Sequence, residues 1–163
     1  VTAASAVKDG FDARRDARSR TYCYRLLRRT APSPFEVKRS LWWPHTIEVE
    51  ALHACAAALS GGHDFTAFTP TDTDHVHFQR QVLRAEWLQE PTANPLAPGL
   101  LDFWIEADAF MRKMVRTLVG TMLEVGGGRR RVEEFEALLE GAPRERAGET
   151  VPAHGLYLAS VQY

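Results

Sequence analysis

Cysteine is scarce in this chain: Cys23 and Cys55 are the only two in 163 residues. Two thiols make neither a disulfide framework nor a zinc site. Cys23 falls in a predicted strand and Cys55 in a predicted helix, so both read as small buried residues. Charge of one sign is lacking too. Twenty Lys and Arg face 21 Asp and Glu, a net charge of −1, so no global field marks a nucleic-acid partner. No apolar run is long enough to cross a bilayer, and no signal peptide opens the sequence. The expected setting is therefore soluble, reducing and cytoplasmic, without a membrane partner. Internal repeats are missing. His75 and His77 have the i,i+2 spacing of a strand, but no third ligand stands nearby, so no metal site is expected. The chain opens at Val1 rather than at a methionine, which fits a trimmed chain.

What is present suffices for one domain over residues 1–163, since 45% of the residues are hydrophobic. Thr21–Leu27 alternates, with Tyr22, Tyr24 and Leu26 on one face and Cys23, Arg25 and Leu27 on the other, which predicts a strand. Ala31-Pro32-Ser33-Pro34 breaks it, and Leu41-Trp42-Trp43 is a short apolar piece closed by Pro44. Thr46 offers an N-cap for a helix over Val49–Leu59, ended by Gly61-Gly62. His63–His77 reads as a loop carrying Phe65 and Phe68, both expected to pack rather than to stack on a base. A strand follows around Gln81–Leu88, then a three-proline connection over 91–99, then a clean alternation over Leu101–Ala107. The spacing predicts a helix over 110–125 with Asp108 as a candidate N-cap, a short helix over Val132–Leu139, a polar loop over 142–152 and a strand over Leu156–Val161. Strands outnumber the crossovers a parallel sheet requires. The fold class is therefore α+β, an antiparallel (mixed) sheet with helices packed on one face. Segments 12–20 and 142–152 are expected to be mobile.

Within that frame, Ala109-Phe110-Met111-Arg112-Lys113-Met114-Val115-Arg116 places three cations in five positions of an otherwise apolar helix pattern. At 100° per residue, Met111, Met114, Val115, Leu118, Val119 and Met122 share one arc, with Arg112 and Arg116 together on its edge. A guanidinium there can reach a phosphate or carboxylate beside the helix start, where the dipole also favours anions. Alternatively, both arginines lay their stems over the core and keep their heads in water. A second basic stretch runs over residues 8–29, with Lys8, Arg14, Arg15, Arg18, Arg20, Arg25, Arg28 and Arg29 against Asp9, Asp12 and Asp16. It can follow a phosphate backbone or be a solvated surface. Arg129, Arg130 and Arg131, after three glycines, suit helix-dipole compensation as well as RNA.

Taken in order, Phe11-Asp12-Ala13-Arg14 with Ala17, Arg20-Thr21-Tyr22-Cys23-Tyr24, His63-Asp64-Phe65-Thr66-Ala67-Phe68, the Met-Val-Arg helix and Gly155-Leu156-Tyr157-Leu158 form a pattern. In order and separation the chain resembles the C-terminal half of the TruA-type tRNA pseudouridine synthases, over nearly its whole length. The resemblance implies half of a pseudouridine synthase catalytic fold. The other half, which carries the nucleophilic aspartate in an Arg-Thr-Asp-Ala-Gly-Val-His type motif, is absent. Asp12, Asp64 and Asp74 lie nearest the motifs, and none has an Arg-Thr-Asp context.

The implied activity is isomerisation of uridine to pseudouridine in tRNA, without metal or cofactor, in a homodimeric enzyme; this chain alone is expected to be inactive. The implied catalytic residues are Tyr22, which would stack on the flipped uracil and assist removal of its C5 proton, Arg116, which would pair with the nucleophilic aspartate, and Leu156, which would line the uracil pocket. Each also has a plainer role as packing or surface, and Tyr24 shares a face with Tyr22. Arg14, Arg20, Arg112 and Lys113 are the candidate RNA contacts. Two other readings stand beside this one. The first is a non-catalytic RNA-binding or dimerisation module of the same descent. The second is an unrelated α+β enzyme using His154 or His63 as a base, for which the sequence offers no nucleophile partner.

Overall fold

The alternation over residues 19–27 and 100–107 produces the two central strands of a six-stranded mixed sheet. The structure, a computed structural model, describes residues 4–89 and 99–163; nearly all of the proline-rich connection lies outside them. β1 (Ser19–Leu27) and β5 (Leu100–Ala107) pair antiparallel, with Tyr22 opposite Ile105 and Tyr24 opposite Phe103. Beyond β5 come β4 (Gln79–Gln89) and β3 (Gly61–Asp64); beyond β1 come β6 (Leu156–Gln162) and, in a short parallel pairing, β2 (Leu41–Trp42). The register puts Tyr24, Leu26, Trp87, Phe103 and Ile105 on one face, all buried. Trp87 and Phe103 meet there with ring centroids 5.1 Å apart. Such aromatics dominate core energetics through the area they remove from water.

On that face lie α1 (Val49–Ala58), α2 (Met114–Gly126) and α3 (Val132–Glu136), with α2 packed on both α1 and β1. Phe65 and Phe68 are wholly buried in the same core. Cys23 and Cys55 are both buried, and burial pushes the Cys55 thiol up to about 12. None of the described helices is long and apolar enough to cross a membrane.

The opposite face of the sheet splits the basic stretch of residues 8–29. Strand alternation sends Arg25 there, beside the buried Asp102 (3.7 Å) and Glu36 (3.6 Å). Arg25 therefore neutralises two carboxylates and does not join a continuous surface stripe.

Four sequence expectations are corrected here. Thr46 does not cap α1: the cap position is Glu48, whose N–H donates to the Gly126 carbonyl (2.8 Å) and ties the helix start to the end of α2. Gly61 and Gly62 open β3, pairing with Val82 and Gln81, so part of the expected loop is a strand. The helix over 132–139 is α3 followed by a tighter 3-10 turn over Ala137–Leu139. The segment 142–152 is not loose but pinned along α2, and this pinning builds the site.

Candidate active site

α2 begins four residues later than the expected helix. The Asp108 carboxylate accepts the backbone N–H groups of Ala109 (2.6 Å) and Gln81 (3.1 Å), closing the turn out of β5 instead of capping a helix. Residues 109–113 then run without helical structure, and Lys113, with φ 64°, makes the left-handed step into Met114. Arg112 and Arg116 therefore do not share a helix edge. Arg112 stands in the loop, its guanidinium on the Asp72 carboxylate (2.6 Å) and carbonyl (3.0 Å). Arg112 in turn holds the exposed Asp72 carboxyl below its usual range. Arg116 lies in the first turn of α2.

Within α2 only Arg116 and Glu124 escape burial. One side packs on the sheet and α1, and the other is covered by the strap 148–152. Gly120 has no Cβ to obstruct the strap: a Cβ would stand 1.8 Å from the Glu149 carbonyl oxygen. On either side of it, Thr121 accepts the Gly148 N–H (3.0 Å), and the Thr117 and Thr150 hydroxyls meet at 2.9 Å. Val151 closes a reciprocal pair with Arg116: the Val151 N–H donates to the Arg116 carbonyl (3.3 Å), and the Arg116 Nε–H donates to the Val151 carbonyl (2.6 Å). Past Pro152 the chain turns into β6, with Gly155 lying against the Tyr24 ring. The Tyr24 hydroxyl donates to the Pro152 carbonyl (2.8 Å), and burial raises its pKa far above the ordinary phenol value, an effect the nearby Arg116 charge opposes.

These constraints shape an open cleft of about 440 Å³ lined by Tyr22, Phe110–Arg116, Ala153 and Leu156. Tyr22, Arg116 and Leu156 reach it from β1, α2 and β6, and Arg112 and Lys113 form part of its wall. The Tyr22 ring meets Phe110 edge-on, with centroids 5.0 Å apart. Among the described residues Arg116 has no carboxylate partner, and it stands in the first turn of α2, where the helix dipole favours an anion. Arg14 and Arg20 lie outside its lining. The Arg20 guanidinium binds the carbonyls of Arg14, Ala17 (3.1 Å) and Asp108 (2.8 Å), anchoring the turn that carries the exposed Arg14 beside the start of the 109–113 run. That turn is ordered by Asp12, which accepts the N–H groups of Arg14 and Arg15 (2.8 Å each). Segment 12–20 is thus tethered at both ends.

Compared with known proteins, residues 55–163 match the model of the family described as tRNA pseudouridine synthase. The chain belongs to the tRNA pseudouridine synthase family. It is 39% identical over all 163 of its residues to tRNA pseudouridine synthase A of Thermus thermophilus, and that match covers 62% of the relative. The enzymes of the same name from Brucella anthropi and Brucella ovis are 33% and 34% identical over 155 residues, 95% of this chain and 59% of theirs. The chain thus spans about three fifths of the length of these curated relatives.

For a pseudouridine synthase family member the histidines are peripheral. His63 contacts the Ser60 carbonyl (3.2 Å), His154 is exposed, and neither lines the cleft. Asp64 is engaged by the Thr66 N–H (2.9 Å) and hydroxyl (2.6 Å). Arg130 is held by Glu124 (3.1 Å) and the Arg146 carbonyl (2.9 Å). The sequence reading missed Phe110 and Ala153 as cleft residues, and it missed the strap altogether. One signal did exist, namely Thr117-x-x-Gly120-Thr121 inside an apolar helix, a strip of small residues that asks for a backbone to lie against it.

Proposed function

We propose that the protein isomerises uridine to pseudouridine in tRNA, with this chain supplying the tyrosine, arginine and leucine side of the active site. The observation that carries the proposal is Arg116, fixed through its Nε and, among the described residues, lacking a carboxylate partner, in a cleft beside an aromatic ring. A guanidinium in that position would keep an aspartate ionised without itself titrating. The aspartate would come from the part of the relatives' length that this chain does not span. The isomerisation breaks the C1′–N1 bond, forms C1′–C5, releases the C5 proton and returns one to N1. Neither redox change nor cofactor is required. Tyr22 would stack on the flipped uracil and assist the C5 proton's departure, and Leu156 would pack against the base.

The test is release of tritium from tRNA labelled at uridine C5. The whole protein should turn over, and residues 1–163 alone, at micromolar concentration, should not. Silence from the whole protein overturns the activity, and turnover by residues 1–163 overturns the shared site. The same reading makes the protein a cytoplasmic homodimer, with a doubled mass in light scattering.

We assign tRNA backbone contacts to Arg14, Arg112 and Lys113 around the cleft, with Arg20 holding the Arg14 turn in place. Phosphate contacts supply affinity by releasing counterions. Arg14→Ala with Lys113→Ala should therefore flatten the plot of log affinity against log salt, by up to ~0.9 per lost contact on duplex-like RNA. An unchanged slope would remove these residues from the interface.

A further inference from the structure

Tyr24 contributes a hydroxyl that the core does not need. Its ring is fully buried, packed so closely on Gly155 that a Cβ there would stand 2.9 Å from the phenol Cζ. Phenylalanine would fill that space equally well, and a buried hydroxyl is unfavourable unless it is hydrogen-bonded. Here it donates to the Pro152 carbonyl at 2.8 Å. Pro152 has no N–H with which to anchor itself, and it restricts Val151 to extended backbone. The next carbonyl back, that of Val151, accepts the Arg116 Nε–H at 2.6 Å, while the Val151 N–H returns to the Arg116 carbonyl. Three residues past Pro152, Gly155 rests on the same phenol ring, and Leu156 follows directly into the cleft. One side chain thus touches the strap on both sides of its turn, between the residue that orients Arg116 and the residue that lines the pocket.

From this connection we propose that Tyr24 is a positioning residue for the reaction. Its hydroxyl fixes the Val151–Pro152 strap and, through the Val151 carbonyl, the direction of the Arg116 guanidinium. The proposal rests on the assignment of Arg116 to the active site. Tyr24 does not line the cleft. Its action is geometric, and misplacing a catalytic group by about 1 Å can reduce turnover a hundredfold. A single neutral hydrogen bond adds little to overall stability, so loss of the hydroxyl should affect turnover far more than folding.

The test compares Tyr24→Phe with the wild type in the whole protein, with arginine Nε labelled by nitrogen-15 and the Arg116 signal assigned by Arg116→Lys. Tyr24→Phe should lower kcat by about tenfold, leave KM and tRNA affinity within about twofold, and speed exchange of the Arg116 Nε–H by about tenfold or more, with Tm nearly unchanged. Unchanged kcat together with retained Nε–H protection overturns the proposal. So does a fall in kcat that tracks Tm while the Nε–H stays protected, since that is a purely structural role. Arg116→Ala separates the two levels. If that variant still turns over, the assignment of the site fails whatever Tyr24 does; if it is inactive while Tyr24→Phe behaves as wild type, only the positioning role fails.

Discussion

Arg116→Ala in the whole protein should lower kcat for pseudouridine formation by about a hundredfold or more, the size of effect seen when one preorganised charged or polar partner is removed from a reaction centre. Binding of tRNA should change by no more than a few-fold, because the Arg116 Nε–H is tied to the Val151 carbonyl and the proposed partner of the guanidinium is an aspartate, not a phosphate. The contrast with Arg14 and Lys113 is diagnostic. Those side chains are exposed, and their loss should act on affinity and salt dependence instead. If Arg116→Ala weakens binding and flattens the salt slope as the surface substitutions do, Arg116 is a backbone contact and its pairing with an aspartate is wrong. Filter binding across a salt series, alongside single-turnover tritium release, separates the two outcomes.

Gly120→Ala should destabilise the chain, against the ordinary expectation for a helix. In an open helix interior, replacing glycine by alanine stabilises by about 1 kcal/mol. Here the added methyl would stand 1.8 Å from the Glu149 carbonyl oxygen, a backbone atom that cannot swing aside as a side-chain end would. The strap must lift, and in lifting it loosens the bonds that Gly148, Thr150 and Val151 make to α2. Overpacking of this kind costs about 1–3 kcal/mol, and the broken strap bonds add to it. A net loss of about 2 kcal/mol should lower Tm by roughly 4–8 °C for a chain of this size, with kcat falling further because Arg116 loses the carbonyl that aims it. A rise in Tm would show that the strap does not sit on this helix.

The central sheet was legible in the sequence because its strands are half-buried and alternate cleanly. Tyr22-Cys23-Tyr24-Arg25-Leu26 and Leu101-Asp102-Phe103-Trp104-Ile105 announce their two faces residue by residue. β3 was hidden, since Gly61-Gly62-His63-Asp64 carries no apolar alternation and is a strand only because β4 supplies its hydrogen bonds. The helix start was misplaced for a similar reason: Asp108 had two possible uses, and the neighbouring N–H of Gln81, brought alongside by β4, decided between them. Tyr22, Arg116 and Leu156 could be singled out one by one through family resemblance, and the structure brings them to one cleft. What aims Arg116 was not legible. The carbonyl that orients it lies 35 residues away, in a stretch whose Gly, Thr, Glu and Pro read as a plain polar loop.

β1 meets β6 across most of the chain's length: the Tyr24 hydroxyl and the Pro152 carbonyl are 128 residues apart, and the Ser160 and Thr21 hydroxyls, 3.0 Å from each other, are 139 apart. During synthesis at about 5–20 residues per second, β1 emerges on the order of ten seconds before the strand that covers its outer edge. Over that interval its backbone donors and acceptors form an open edge, the kind of surface on which other chains add strands. Closing so long a loop also places this pairing among the slow events of folding. The cleft accordingly waits on the pairing of β6 with β1. Tyr22, Arg116 and Leu156 come together only once Leu156 has been made, so a nascent chain that stops short of β6 has no complete cleft.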